Sequence, residues 1–384
     1  MRSLVVAGPE MGTLYATHQA VKAVNREAPG AILGIEGPNE PDLFWERDKI
    51  TYPAPADATA EKAILRGFPE GLISYQTRLY RKFKSDPATK TLIIVGPGLG
   101  KTYDAGNSAG ANPLRDGKLK NVADFGNFHP YPGGNTFSVP FAYGTIEKYL
   151  WTGTQPSANI DEFPYAFEQY GPAFGGRPMI ATETGYSTFR AHTSEVVQGK
   201  YVPRLFLEYF LRGVKRTYLY EFVDERNNLD DRESCFGLLR SDLTPKPAYT
   251  ALKNLLSLLA DGKSSGKSAT REWDYTIKAS PGGEWNRLQY VHHLLLEKSN
   301  GESYLVLWHE IANQDSSVTP WREITVPPIP ATVTVRTAVR PAVSVYEWDD
   351  AGEMRERSAT LTAGSINLAV RDRVMVVRLT PDGK

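Results

Sequence analysis

Two glutamates, each closing an apolar run, carry the most specific chemistry in this 384-residue sequence. Glu40 lies in LGIEGPNEPD (33–42), beside Asn39 and fenced by Pro38 and Pro41; Glu183 lies in IATETGYS (180–187). Hydrolysis of a glycosidic bond needs two carboxyl groups flanking one linkage, one as general acid and the other as nucleophile or base. Asn39 could donate a hydrogen bond to a sugar hydroxyl. His129 and Tyr131, in FHPYP (128–132), could bond the substrate, or bond Glu183 and keep it ionised. Either glutamate alone would read as a salt-bridged surface residue. Their placement at successive strand ends, one flanked by Asn and the other by Thr and Tyr, points to a site.

Other chemistries fall away on spacing. VGPGLGKT (95–102) looks like a phosphate-binding loop, but that motif requires glycine five residues before Gly100, where Val95 stands, and a helix after it. The six histidines (His18, His129, His192, His292, His293 and His309) show no metal-ligand spacing. His292 and His293 sit in a β-like run, where neighbours point to opposite faces, so they are not expected to share a metal. No G-x-S-x-G elbow serves a serine hydrolase. Cys235 is the single cysteine, which removes disulfide frameworks and Cys-rich metal sites. No cofactor or metal is called for.

The elements that must position these residues follow a strand–helix alternation over the first two-thirds of the chain. Short β-like runs are expected near 4–7, 31–35, 91–95, 122–128, 178–181 and 217–222. Helices are expected near 12–28, 69–85, 141–151, 193–212 and 245–261. Thr193 or Ser194 can cap the fourth helix, with Gly213 after its end; Pro245 and Gly262 punctuate the fifth. The segments that follow the runs (GIEGPNEPD, VGPGLG, FHPYPGG, ATETGYS, YEFVDE) are polar, acidic or rich in Gly and Pro. In a (β/α)8 barrel such C-terminal loops build the active site. A Rossmann-type sheet also binds ligands there, but no G-x-G-x-x-G opens a helix.

After about residue 262 the texture changes. DGKSSGKSA reads as a linker, and alternating runs such as SYLVLWHEI, ATVTVRTAV, VSVYEWDD, SINLAV and RVMVVRLT predict an all-β sandwich. The expected division is therefore a (β/α) catalytic domain over 1–262 and a β-sandwich accessory domain over 263–384.

Composition fits a globular protein, with 41% hydrophobic and 23% charged residues. The 44 basic and 44 acidic residues balance, against a nucleic-acid or anionic-membrane partner. No apolar stretch approaches the length of a membrane span. The start, MRSLVVAGPEMG, lacks a secretory h-region, so localisation stays open between a cytoplasmic protein and one whose leader is missing. Aromatics are plentiful, 20 Tyr, 15 Phe and 7 Trp, and serve either packing or stacking on a ring-shaped ligand.

Together these residues resemble glycoside hydrolase clan A, the retaining (β/α)8 enzymes, and their β-xylosidase-like families with a C-terminal β-sandwich. GPNEPD resembles the acid/base motif after strand four, which implies Glu40 as acid/base and Asn39 as its partner on the 2-hydroxyl. ATETG resembles the nucleophile motif after strand seven, implying Glu183. FHPY falls where the clan places strand-six sugar contacts, YLYEFVDE resembles strand eight, and FGLL followed by TPKPAY resembles the end of such barrels. HHLLLEKSNGESYLVLWHE resembles the appended sandwich. The resemblance implies a retaining β-glycosidase acting on plant-type oligo- or polysaccharides. Trp45, Trp151 and Tyr186 are candidate sugar-stacking residues, with packing in βα loops as their other use, and Glu221 is placed near the rim. If Glu40 ends strand four, the sequence leaves about six βα units, an incomplete TIM-type barrel, and the clan's strand-two arginine is absent. Exposed parallel edges then call for a homo-oligomer that covers them. A carbohydrate-binding remnant without turnover is the alternative.

Overall fold

The computed structural model describes residues 2–8, 11–43, 52–53, 65–100, 113–131, 171–262, 274–279, 291–311, 313–315, 318–336 and 341–380. Trp45, Trp151, the expected helix at 141–151 and the linker at 263–273 lie outside the described residues. Two compact units emerge. The first is drawn from Met1–Ala142, Phe163–Thr184 and Arg212–Leu219, the second from Gly185–Leu211 and Tyr220–Lys384.

The first unit alternates strands and helices: β1 (Ser3–Val6), α1 (Met11–Glu27), β2 (Ile32–Glu36), α2 (Glu70–Ser85), β3 (Ile93–Val95), β4 (Gly126–Phe128) and β5 (Met179–Ala181). Buried Leu14, His18 and Val21 share one stripe of α1, and Leu72, Tyr75, Gln76, Leu79 and Phe83 one stripe of α2, the spacing of a helix packed along one face. The edge of His18 meets the Phe83 ring at 5.0 Å, and Lys22 Nζ reaches Asp86 at 2.8 Å. Gln76 sends its amide to the carbonyls of Val95 and Val122 at 3.3 and 3.1 Å, tying α2 to the strand ends.

The strands pair in parallel and in chain order. β1 pairs with β2 and β2 with β3; a Val95–Phe125 bridge continues the order towards β4, β4 pairs with β5, and Ala181 bridges Thr217. A doubly wound sheet reverses its order at a switch point; none of the described strands does so. β3, β4 and β5 are mostly buried, as parallel strands covered on both faces are. Because all run the same way, the segments leaving β2, β3, β4 and β5 emerge at one edge.

The second unit contains α3 (Glu195–Leu211), α4 (Pro247–Leu259), β6 (Asp274–Ala279), β7 (Val291–Glu297), β8 (Ser303–His309), β9 (Ile329–Arg336), β10 (Ala342–Trp348), β11 (Met354–Ala359), β12 (Ser365–Val370) and β13 (Met375–Thr380). Antiparallel pairing gives a five-stranded sheet, β11–β10–β13–β8–β7, and a three-stranded sheet, β12–β9–β6. Alternation along β8 divides its side chains. Leu305 and Leu307 enter the core shared by the two sheets, with Val333 and Ile366 from the smaller one. Tyr304, Val306 and Trp308 face the opposite way and pack with Leu207 of α3 and Ala251 and Leu255 of α4. His292 and His293 part as adjacent strand residues should: His292 Nδ1 meets Glu208 of α3 at 2.7 Å, and His293 Nδ1 meets Tyr275 of β6 at 2.9 Å. Ser194 caps α3, its Oγ accepting the Val197 N–H at 3.2 Å.

Some elements depart from the expectation. The run at 217–222 is not a strand: Tyr218 N–H donates to Ala181, but Glu221 and Phe222 bond to Phe236, Leu238 and Leu239 instead. That change of partners splits the run. The strand expected over 122–128 shortens to β4 because Asp124 turns back to β3, its carboxylate accepting the Ile94 N–H at 2.8 Å. β11 was not expected from the sequence. Its MRERSA is almost wholly exposed, so no alternating apolar signal marks it.

Candidate active site

The turn after β2 presents Glu40. Its φ of 39° lies in the left-handed region, which non-glycine residues seldom adopt and which concentrates at functional sites. The turn is held from both sides: Leu43 N–H donates to the Glu40 carbonyl at 3.0 Å, and the buried carboxylate of Asp42 accepts the Gly100 N–H at 3.0 Å. Asn39 bridges Gly98 through its backbone while its side chain is exposed. The glycine-rich segment after β3 thus finds its use in close packing. A Cβ on Gly98 would stand 2.2 Å from His129 Nε2, and one on Gly100 would stand 3.0 Å from Glu40 Oε1. Glycine here admits the His129 ring and the Glu40 carboxylate.

β4 delivers His129 and Tyr131, and β5 delivers Thr182 and Glu183. His129, 2% exposed, lies at the centre. Its Nδ1 stands 3.2 Å from Glu40 Oε1 and 3.6 Å from Glu183 Oε2, and its Nε2 stands 2.9 Å from Thr182 Oγ1. Tyr131 donates its hydroxyl to Glu183 Oε2 at 2.8 Å. Thr184 Oγ1 donates to the Pro130 carbonyl at 2.6 Å, which pins the β5 loop to the β4 loop. Glu40, His129, Tyr131 and Glu183, expected from the sequence, therefore meet at one sheet edge.

The electrostatics follow from burial and from these contacts. Burial alone would lower the His129 pKa, but hydrogen bonds with Glu36 and Glu40 and the charge of Glu183 outweigh it and push it up to about 10. The ring is a cation at neutral pH. The carboxyl of Glu183 is raised, chiefly by burial; the His129 charge and the Tyr131 hydroxyl oppose that rise without cancelling it. One carboxyl oxygen each from Glu40 and Glu183 and a ring nitrogen of His129 lie within 4.8 Å of one another. With the ring pushed up to about 10, the three groups pair as a cation beside two carboxyls. In the second unit Glu208, His292 and Glu310 also bring ligand atoms within 4.8 Å of one another, with the Arg204 guanidinium 3.7 Å from Glu310.

Two of the remaining candidates belong to the second unit. Tyr186 is 3% exposed and its ring packs on Tyr201 at 5.0 Å, the packing use that the sequence left open beside stacking. Glu221 is half-buried, its carboxyl pushed up to about 7 by burial and then by the charges of Glu225 and Asp224. Sequence reasoning passed over Glu36, Asn127 and Thr182, which join His129 in one buried network. The available signal was Glu36 itself, an acidic residue inside an otherwise apolar strand.

No protein-family model and no curated protein sequence matches the chain. Solved structures do. A family 39 glycoside hydrolase from the gut symbiont Bacteroides cellulosilyticus WH2 aligns over 97% of this chain with a TM-score of 0.51 and 17% identity; the chain spans 63% of that protein's length. A family 44 xyloglucanase from Paenibacillus polymyxa aligns over 94% of this chain and 70% of its own, with a TM-score of 0.51 and 13% identity. A GH30 endoxylanase from Clostridium papyrosolvens C71 aligns over 97% and 72%, with a TM-score of 0.50 and 10% identity. The mixed α/β architecture with its β-rich part is thus one that these three proteins share.

Proposed function

We propose that the chain is a retaining β-glycosidase of the clan A type. The observation that carries this reading is the approach of the Glu40 and Glu183 carboxyl oxygens to within 4.8 Å. Retaining enzymes hold their two carboxyls about 5–5.5 Å apart, whereas inverting ones leave roughly 6.5–9.5 Å for a water molecule. Glu183 attacks the anomeric carbon as Glu40 gives its proton to the leaving oxygen, so the glycosidic C–O bond breaks as the glycosyl–enzyme ester forms. Glu40 then takes a proton from water, which attacks the same carbon and frees Glu183. Tyr131 and His129 both donate towards Glu183 and favour the anion that attacks. Asn39, exposed beside Glu40, is assigned to the sugar 2-hydroxyl; Trp45 and Trp151 are assigned to sugar stacking and Glu221 to the rim.

The substrate class is plant-type oligo- or polysaccharide, in keeping with the xyloglucanase and endoxylanase among the structural neighbours. The chain-order parallel strands are assigned to an incomplete barrel of about six βα units within 1–262, and the two antiparallel sheets to a β-sandwich accessory domain within 263–384. β1, which pairs only with β2 among the described strands, leaves an edge that a second subunit would cover.

An aryl-β-glycoside panel tests the reading on wild type and Glu183→Ala. Release by wild type well above the variant, with the first-formed sugar keeping its β configuration by proton NMR, is expected. Equal background release from both proteins would overturn it.

A further inference from the structure

We propose that Glu36 is a positioning residue of this site, holding the His129 ring with a proton on each nitrogen so that Nδ1–H is shared between Glu40 and Glu183. Its part in turnover rests on the glycosidase reading; its hold on the ring does not.

Glu36 closes β2 and is 3% exposed. A buried carboxylate is tolerated only when it is paired and hydrogen-bonded, and the partners are present. Glu36 Oε1 accepts from Asn127 Nδ2 at 2.8 Å and from Thr182 Oγ1 at 2.8 Å, and faces His129 Nε2 at 3.5 Å. The orientation of the Asn127 amide is fixed by the backbone, since its Oδ1 accepts the N–H groups of Phe128 and Thr182 at 2.9 and 3.2 Å. Its NH2 is therefore the end that points at Glu36.

Proton counting settles the ring. The Thr182 hydroxyl has one proton and two acceptors at 2.8 Å, Glu36 Oε1 and Asn127 Oδ1. It donates to these and is left to accept from His129 Nε2, 2.9 Å away, so Nε2 carries a proton. On the other side Nδ1 faces Glu40 at 3.2 Å and Glu183 at 3.6 Å; Glu183, ionised for attack, is acceptor-only, so Nδ1 carries a proton towards it. The ionisable groups facing the ring are Glu36 from β2, Glu40 from the turn after it and Glu183 from beyond β5, with Tyr131 behind Glu183. Glu36 is the one that cannot take part in covalent chemistry at the sugar, because it lies on the Nε2 side. Its charge keeps the ring cationic while Nδ1–H serves whichever of Glu40 and Glu183 is ionised as the proton passes through the cycle.

The test uses the full chain labelled with 15N-histidine, the His129 signals being assigned by their loss in His129→Gln. In wild type both ring nitrogens are expected to stay protonated between about pH 5 and 8. In Glu36→Gln, which keeps an acceptor oxygen but removes the charge, the His129 titration should move down by about one to three pH units. Activity in that variant should show a lower kcat with KM little changed, and an alkaline limb displaced to lower pH, where the ring now loses its charge. A wild-type ring that is neutral near pH 7 overturns the proposal, whether or not Glu36→Gln folds; so does a folded Glu36→Gln whose ring titrates like wild type. A Glu36-dependent imidazolium in a protein that hydrolyses no glycoside would sink the glycosidase reading alone. Hydrolysis with a ring indifferent to Glu36 would sink this proposal alone.

Discussion

Replacing Tyr131 by Phe should leave a defect that depends on pH. The substitution removes the 2.8 Å hydrogen bond from the phenol to Glu183 Oε2. A hydrogen bond to a charged group contributes about 1.5–3 kcal/mol, and each pH unit corresponds to about 1.4 kcal/mol. Glu183 is 28% exposed on its side chain, so solvent screening favours the lower half of that range. The bond lowers the Glu183 pKa against the rise imposed by burial; without it the carboxyl rises further. On the proposed glycosidase reading Glu183 must be ionised to attack, so the acid limb of kcat/KM should move up by about one to two pH units. Below both limbs the variant should be roughly 10- to 100-fold slower, and at pH well above them it should approach wild type. Aryl-glycoside kinetics across pH, with thermal melts to confirm an intact fold, measure this directly. A loss of equal size at every pH would mean that Tyr131 only positions the carboxylate, and an unmoved limb would refute the electrostatic account.

Gly98→Ala places a methyl 2.2 Å from His129 Nε2; overpacking of this kind costs about 1–3 kcal/mol. A lowered denaturation midpoint together with reduced kcat/KM is expected, and an unchanged melt would show that the ring can retreat. His129 links stability to alkaline pH. Its folded pKa of about 10 stands above an unfolded value of about 6.5, so its contribution is complete below the latter and lost as pH rises through the former. The stability gap between wild type and His129→Gln should therefore narrow steadily over that window; a constant gap would contradict the ion-pair assignment. In the second unit Glu208→Ala removes the carboxylate that stands 2.7 Å from buried His292. Breaking such a pair costs about 3–5 kcal/mol, visible as a fall in the urea midpoint with little change in m-value.

Much of the site was legible because parallel strands impose order on the chain. Every strand end in a parallel sheet of this kind lies on the same edge, so polar residues just after successive apolar runs converge whatever separates them in sequence. That rule alone paired Glu40 with Glu183 across 143 positions and brought His129 and Tyr131 to them. The binary pattern likewise foretold α1, α2 and most strands of the β-rich part, since their periods of 3.6 and 2 are local properties. β11 escaped because an exposed edge strand has no buried face to write into the sequence.

Tertiary structure decided what depends on contact rather than period. Tyr186 looked like a platform for a sugar ring until packing on Tyr201 took its face. Gly98 looked like part of a phosphate loop, and its purpose became visible only with the His129 ring beside it. Glu36 is the clearest case. Its type and place in an apolar strand were plain, but its meaning comes from Asn127 and His129 at the end of β4 and Thr182 just after β5. Sequence pattern brought Glu40 and Glu183 to one edge; only three-dimensional packing decided that Glu36 is hydrogen-bonded in the interior while those two stay partly exposed.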